Sequence, residues 1–235
     1  MRCSKTPKLS KEQLRSSVII DFEGEGKRKS STIPPLPHMV GIFHPNKTGK
    51  SGKYEWVALR ENWRPAVNGS IGMSNKARLS DLEEVFLGIA ESVTQSQGRI
   101  IHWSQHESDI LQAFLKPATW KMVEPFLFNA RIPAKRYARR RKIFEGSGEV
   151  LGKTLEEFFD ALYRKRNPFP PLPRGAAATC RLIDKACGSR KRWRNFTEAE
   201  MGYVSELIEY NKGDCKTTFL ITLKTVNAAL SRLLS

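Results

Sequence analysis

The chain has 235 residues, 40% of them hydrophobic, which is enough for a sizeable core built as one large domain or as a core with an elaborate insertion. Forty lysines and arginines against 24 acidic residues leave a formal charge of +16, which favours polyanions, nucleic acid first and anionic lipid second. No stretch approaches a membrane span and the basic start lacks an apolar signal core, while Cys3, Cys180, Cys187 and Cys215 show no CxxC or zinc spacing; the expectation is a cytoplasmic, nucleic-acid-associated protein with reduced thiols.

Residues 1–16 read as a loose basic arm. The stretch "SSVIIDFEGEG" (16–26) then predicts a buried strand at about 17–23 that ends in Asp21 and Glu23. Side chains two apart on a strand share a face, so these acids stand side by side. Repulsion and desolvation oppose that arrangement unless a cation lies between them. After the Pro- and Ser-rich "KRKSSTIPPLP", strands are expected at 38–44 and 53–60, joined by the hairpin-like "PNKTGKSG" as an antiparallel meander. Gly49-Lys50-Ser51 matches the end of a phosphate loop, but the first glycine would fall at His44 and the stretch joins two strands. It is rejected as a nucleotide site; Lys47, Lys50 and Lys53 are then a solvated turn or contacts to a backbone phosphate.

Residues 68–78 read as a second loop, and 79–95 as a helix with Leu82, Val85, Phe86, Ile89 and Val93 on one face and a capping box of Ser80 and Glu83. A short strand at 99–104 feeds a helix at 106–115 that carries Glu107 and Asp109. Residues two apart on a helix diverge by about 200°, so one of them faces a common site. Glu107, in line with Leu111, is preferred, with Asp109 in reserve. His102 and His106 straddle the strand-to-helix junction and do not share a zinc-binding face, which leaves His106 as a border of the site or an ordinary junction residue. A fifth strand is possible at 124–131.

From about 130 to 196 the chain turns basic, with one helix opened by the capping pair Thr154 and Glu157, an elaboration packed on the core. Two runs there interleave cations with aromatics: Lys135, Arg136, Tyr137, Arg139, Arg140 and Arg141, then Arg192, Trp193 and Arg194. Guanidinium groups neutralise phosphates while aromatic rings stack on unpaired bases, so the runs are expected to guide a single strand; docking on a protein or a structured RNA is the alternative. A long amphipathic helix follows, opened by Thr197 and Glu200, with Tyr210 and Asp214 one turn apart. Asp214 is either a solvated helix acid or a ligand. Gly213 costs roughly 1 kcal/mol in a helix relative to alanine, which counts against a purely structural role for this turn.

Taken in order, "IDFEG", "SQHESDIL" and "YNKGDCKTT" resemble the motifs of the DEDD (DnaQ-like) 3′–5′ exonucleases of the ribonuclease H-like superfamily, in the tyrosine-bearing (DEDDy) subgroup. The branch most similar has Glu as the middle acid and Tyr-Asn-x-x-Asp as the last motif. The resemblance covers residues 17–129 and 197–226; Trp103 departs from it, standing where many relatives have Asn. It implies an α/β fold, a central mixed sheet of three antiparallel strands followed by parallel ones, flanked by helices, over a domain of residues 17–235. It also implies two Mg²⁺ or Mn²⁺ ions held by Asp21, Glu23, Glu107 and Asp214, with Tyr210 placing the attacking water or the scissile phosphate. The expected activity is phosphodiester hydrolysis on DNA or RNA with a 3′ end. An inactive nucleic-acid-binding module of a larger assembly and a two-metal endonuclease are the alternatives.

Overall fold

Alternation along the first strand divides the molecule into layers. In the computed structural model, which describes residues 9–25, 33–46, 48, 51–70, 76–144, 154–169 and 171–230, strand β1 (Val18–Glu23) turns Val18, Ile20 and Phe22 to one apolar cluster and Ile19 to another. Period two therefore carries Asp21 and Glu23 to the Ile19 face.

The chain runs through α1 (Lys11–Arg15), β1, β2 (Met39–Pro45), β3 (Gly52–Ala58), α2 (Arg64–Ser70), β4 (Lys76–Leu79), α3 (Leu82–Ser96), β5 (Ile100–His102), α4 (Gln105–Phe114), α5 (Pro117–Val123) and β6 (Leu127–Asn129). It continues with α6 (Arg131–Arg140), α7 (Leu155–Tyr163), α8 (Ala176–Ser189) and α9 (Glu198–Leu230). The six-stranded sheet has the order β4-β3-β2-β1-β5-β6. The meander β1-β2-β3 is antiparallel, and β5 and β6 run parallel to β1, which is the ribonuclease H-like layout expected from the motifs. Helices α3, α4 and α5 cover the Val18 face, while α6 to α9 cover the Ile19 face, with α9 lying across β1 and β2. No helix among the described residues is long and apolar enough to cross a membrane. Cys180, Cys187 and Cys215 are free and buried.

Several local expectations are corrected. Residues 9–15 are not loose: Ser10 caps α1 with Gln13, and Leu9 and Leu14 are buried in the core. The loop expected at 68–78 contains the end of α2 and all of β4 but its last residue, and β4 pairs parallel to β3. Its side chains are half exposed, so "KARL" offers no apolar run to mark an edge strand. Helix α3 starts at Leu82, because Leu79 is held in β4 and Asp81, not Ser80, accepts the Glu84 N–H at 2.7 Å. Glu83 instead accepts from the Lys116 N–H and the Thr119 hydroxyl. Among its described residues the basic region holds three α-helices where one helix was expected. The alanines Ala134 and Ala138 bury α6, and Thr179, Cys180, Ile183 and Ala186 bury α8, small side chains that make a weak apolar stripe. The capping pairs at Thr154 and Thr197 are present as read.

Candidate metal centre

The site is assembled where the carboxyl ends of β1 and β5 meet α9, the place at which open α/β sheets bind ligands. Asp21 lies opposite Gly41 in the β1–β2 register. A Cβ on Gly41 would lie 1.6 Å from Asn211 Oδ1, so the missing side chain is the space that lets α9 reach the sheet. Asn211 is fully buried there. Its Nδ2 donates to Asp21 Oδ2 at 2.8 Å, to the Asp21 carbonyl at 3.2 Å and to Glu23 Oε1 at 3.3 Å. Its Oδ1 accepts from the Tyr54 hydroxyl at 2.8 Å, which fixes the orientation of the amide.

One ligand atom each of Asp21, Glu23 and Asp214 lie within 4.8 Å of one another. Burial raises the pKa of every member. Asp21 is pushed well above the usual carboxylate range, first by desolvation and then by the charges of Glu23, Asp214 and Glu107. Glu23 is pushed up to about 7 by desolvation, against the lowering effect of the Asn211 bond. Asp214 rises through desolvation, then through Glu23 and Glu156, although the Tyr210 hydroxyl donates to it. Among the described residues no lysine or arginine pairs with these carboxylates.

Glu107 is buried at the start of α4, where its Oε2 closes a capping box on the Ser104 N–H at 3.1 Å and hydroxyl at 2.7 Å. Its charge raises the pKa of Asp21, Glu23 and Asp214, although it is not one of the three acids whose ligand atoms lie within 4.8 Å of one another. Asp109 points out of the site: it is exposed and accepts from Gln105 Nε2 at 3.1 Å. His102 approaches Glu107 to 3.8 Å, but burial lowers its pKa to about 4, so the pair is not ionic; its Nδ1 bonds the Ser104 carbonyl at 2.6 Å. Trp103 is buried edge-on against Phe158, tying this junction to α7.

Tyr210 and Asp214 open onto a cleft of about 430 Å³ walled by Glu156 of α7 and by Arg166, Pro168, Phe169 and Pro171. Gly213 permits this wall, since a Cβ there would lie 2.7 Å from Phe169 Cβ. That contact accounts for a glycine in mid-helix. The basic region thus supplies one side of the cleft, a role its composition did not reveal.

Neither cation-rich run lines this cleft. Arg136, Arg139, Arg140, Arg141, Arg192 and Arg194 are exposed and Lys135 is half-buried. Both aromatic residues of the runs are half-buried against the protein. Trp193 fills the hollow over Gly69, where a Cβ would lie 1.8 Å from its Cδ2, and rests on Phe196 with centroids 5.0 Å apart. Tyr137 packs against the core with the Arg141 guanidinium 6.0 Å from its ring. Each ring covers apolar surface of the protein with part of its area.

A second group that could hold a metal ion comprises Glu25, His38 and Asp184. His38 Nε2 lies 2.6 Å from Asp184 Oδ2, and Asp184 Oδ1 accepts from Trp63 Nε1 at 2.6 Å and Asn62 Nδ2 at 3.1 Å. Sequence reading missed this group and Asn211, Glu156 and Phe169 as well. For Asn211 a signal existed: it precedes Asp214 by three residues, next to Tyr210, in a segment too polar for a core helix. No family model matches the chain, and no curated protein or solved structure matches it either.

Proposed function

We propose that the protein is a metal-dependent 3′–5′ exonuclease of the DEDD type that hydrolyses phosphodiester bonds of single-stranded or frayed DNA or RNA. The observation that carries this reading is the convergence of Asp21, Glu23 and Asp214 without a cation of the protein's own to balance them. Buried like charges of this kind suit hard divalent ions with oxygen ligands, Mg²⁺ or Mn²⁺. Two such ions, when bound by Asp21, Glu23, Glu107 and Asp214, supply charge neutralisation and Lewis acidity at a scissile phosphate.

The rest falls to the protein's own residues. Asn211 holds Asp21 and Glu23 in register with α9. Burial and the charge of Asp214 push the Tyr210 pKa upward, so its hydroxyl stays protonated and is not a base; its single proton is given to Asp214, and to act on a phosphate oxygen or the attacking water it turns away from that carboxylate. Phe169, Pro168 and Pro171 offer an apolar wall beside Asp214 to a base or sugar face.

The test is incubation of 5′-labelled single-stranded DNA and RNA with Mg²⁺ or Mn²⁺, beside Asp21→Asn and Asp214→Asn. A ladder shortening from the 3′ end, absent from both variants, is expected. Internal cuts would instead indicate an endonuclease, and tight binding without cleavage under either metal would indicate a binding module.

A further inference from the structure

Helix α9 has a second working flank. At 100° per residue, Lys212 lies about 100° and Lys216 about 140° from Asn211, on the side away from Tyr210 and Asp214. They face Lys53 of β3 and Lys76 of β4 across a cleft of about 560 Å³, with Tyr54 and Glu55 also in its lining. Glu209 holds Lys212 at 2.8 and 3.1 Å. Among the described residues no carboxylate pairs with Lys53, Lys76 or Lys216, so cations outnumber acids in this cleft.

The two clefts communicate across the outer side of α9. Phe169, which walls the cleft at Asp214, has the Lys216 ammonium 5.7 Å from its ring centroid. Tyr54 joins them underneath, lining the lysine cleft while its hydroxyl donates to the Asn211 that bonds Asp21. An α-helix with its side chains is about 10–12 Å across, a width that a few nucleotides of an unpaired strand span. A strand seated at the carboxylates therefore reaches the lysines within a few phosphates.

We propose that the cleft of Lys53, Lys76, Lys212 and Lys216 holds the backbone phosphates of a single strand a few phosphates away from the bond at the carboxylates. The proposal rests on the exonuclease reading for the identity of that strand. It assigns affinity to this flank of α9 and not to the exposed arginines of α6. Ammonium groups that touch phosphates and no base edge give binding that ignores sequence and weakens with salt.

The test measures fluorescence anisotropy of 5′-fluorescein DNA of two, four, six and twelve nucleotides on the full chain carrying Asp21→Asn, with Mg²⁺ present. Affinity is expected to rise sharply between two and six nucleotides. Lys53→Gln, Lys76→Gln and Lys216→Gln together are expected to remove that rise, weaken dodecamer binding about tenfold or more, and lower the salt slope by about two, at roughly 0.7 per phosphate contact. Lys76→Glu, a single change on an exposed edge strand, should do the same in part should the triple variant fold poorly. A length profile and salt slope unchanged in both variants overturns the proposal, even where the wild-type ladder shows an exonuclease. The converse separates the two readings: a lost rise together with no wild-type cleavage removes the exonuclease and keeps the lysine cleft as a strand-binding surface.

Discussion

Asn211 Nδ2 lies 2.8 Å from Asp21 Oδ2, across 190 residues of sequence. This bond joins α9 to the end of β1 at the point where the acidic side chains meet. It depends on a glycine, because the space for the amide is the space that a Gly41 side chain would fill.

Removing either member of that arrangement should therefore be costly, and in a dependent way. Asn211→Ala leaves the buried Tyr54 hydroxyl without its acceptor, at a cost of about 1–3 kcal/mol. Metal affinity should fall by about 10–100-fold, as for other groups that orient ligands. Gly41→Ala should be more damaging than Asn211→Ala, and Gly41→Ala combined with Asn211→Ala should be more stable than Gly41→Ala by itself. Urea denaturation of the four proteins checks the order; additive losses would show that the two residues do not compete for one space.

Metal and pH should act together on stability. Burial pushes Glu23 up to about 7 in the metal-free protein, while an unfolded glutamate titrates near 4.3. Between those values the native state holds a proton that the unfolded chain has released, so this group's contribution to stability falls as pH rises through that window. Thermal melts in EDTA should thus decline from pH 5 toward pH 8, and less steeply in Asp21→Asn, which removes a second carboxyl whose pKa burial raises. Saturating Mg²⁺ or Mn²⁺ should raise Tm more at pH 8 than at pH 5. No shift with either metal at pH 8 would argue against a metal at this cluster.

Glu107 and Asp109 should separate cleanly. Glu107 is buried with its charge acting on the other acids and Asp109 is exposed, so Glu107→Gln should suppress the metal-dependent ladder while Asp109→Asn leaves its rate within about twofold. Single-turnover assays at fixed metal concentration decide this, and equal losses would contradict the placement of α4.

Asp184 should prove structural. It is the acceptor for His38, Trp63 and Asn62 together, and burial, which raises its pKa, is outweighed by those bonds. Asp184→Ala leaves His38 and Trp63 Nε1 buried without partners, with an expected loss of about 3–5 kcal/mol. Chemical denaturation followed by tryptophan fluorescence measures it, and a loss below about 1 kcal/mol would mean that water or Glu25 replaces the carboxylate.

Legibility from the sequence followed the strength of local signals. The meander and the strand-helix junction at 99–115 were readable because apolar runs alternate with turn residues there. Strand β4 and helices α6 and α8 were not, because they are buried by alanine, cysteine and threonine or half exposed at an edge. At the cluster, Asp21 and Glu23 were legible as neighbours from period two, whereas the choice of Glu107 over Asp109 was made on a shared face with Leu111. Glu156 and Phe169 carry no local signature of their roles, since each acts on a residue distant in the chain, while Asn211 is marked only by its place between Tyr210 and Asp214.

The amino-acid sequence by itself determined the α/β class, the basic charge and the pairing of two acids on one strand face, since these follow from composition and from periods of two and 3.6 residues. The tertiary structure decided which distant side chains meet: Asn211 over Gly41, Asp214 beside Asp21 and Glu23, Phe169 over Gly213, and lysines on the opposite flank of α9. Such meetings depend on how α9 and the basic region pack across the sheet, and packing is a property of complementary surfaces, which no single segment of the chain contains.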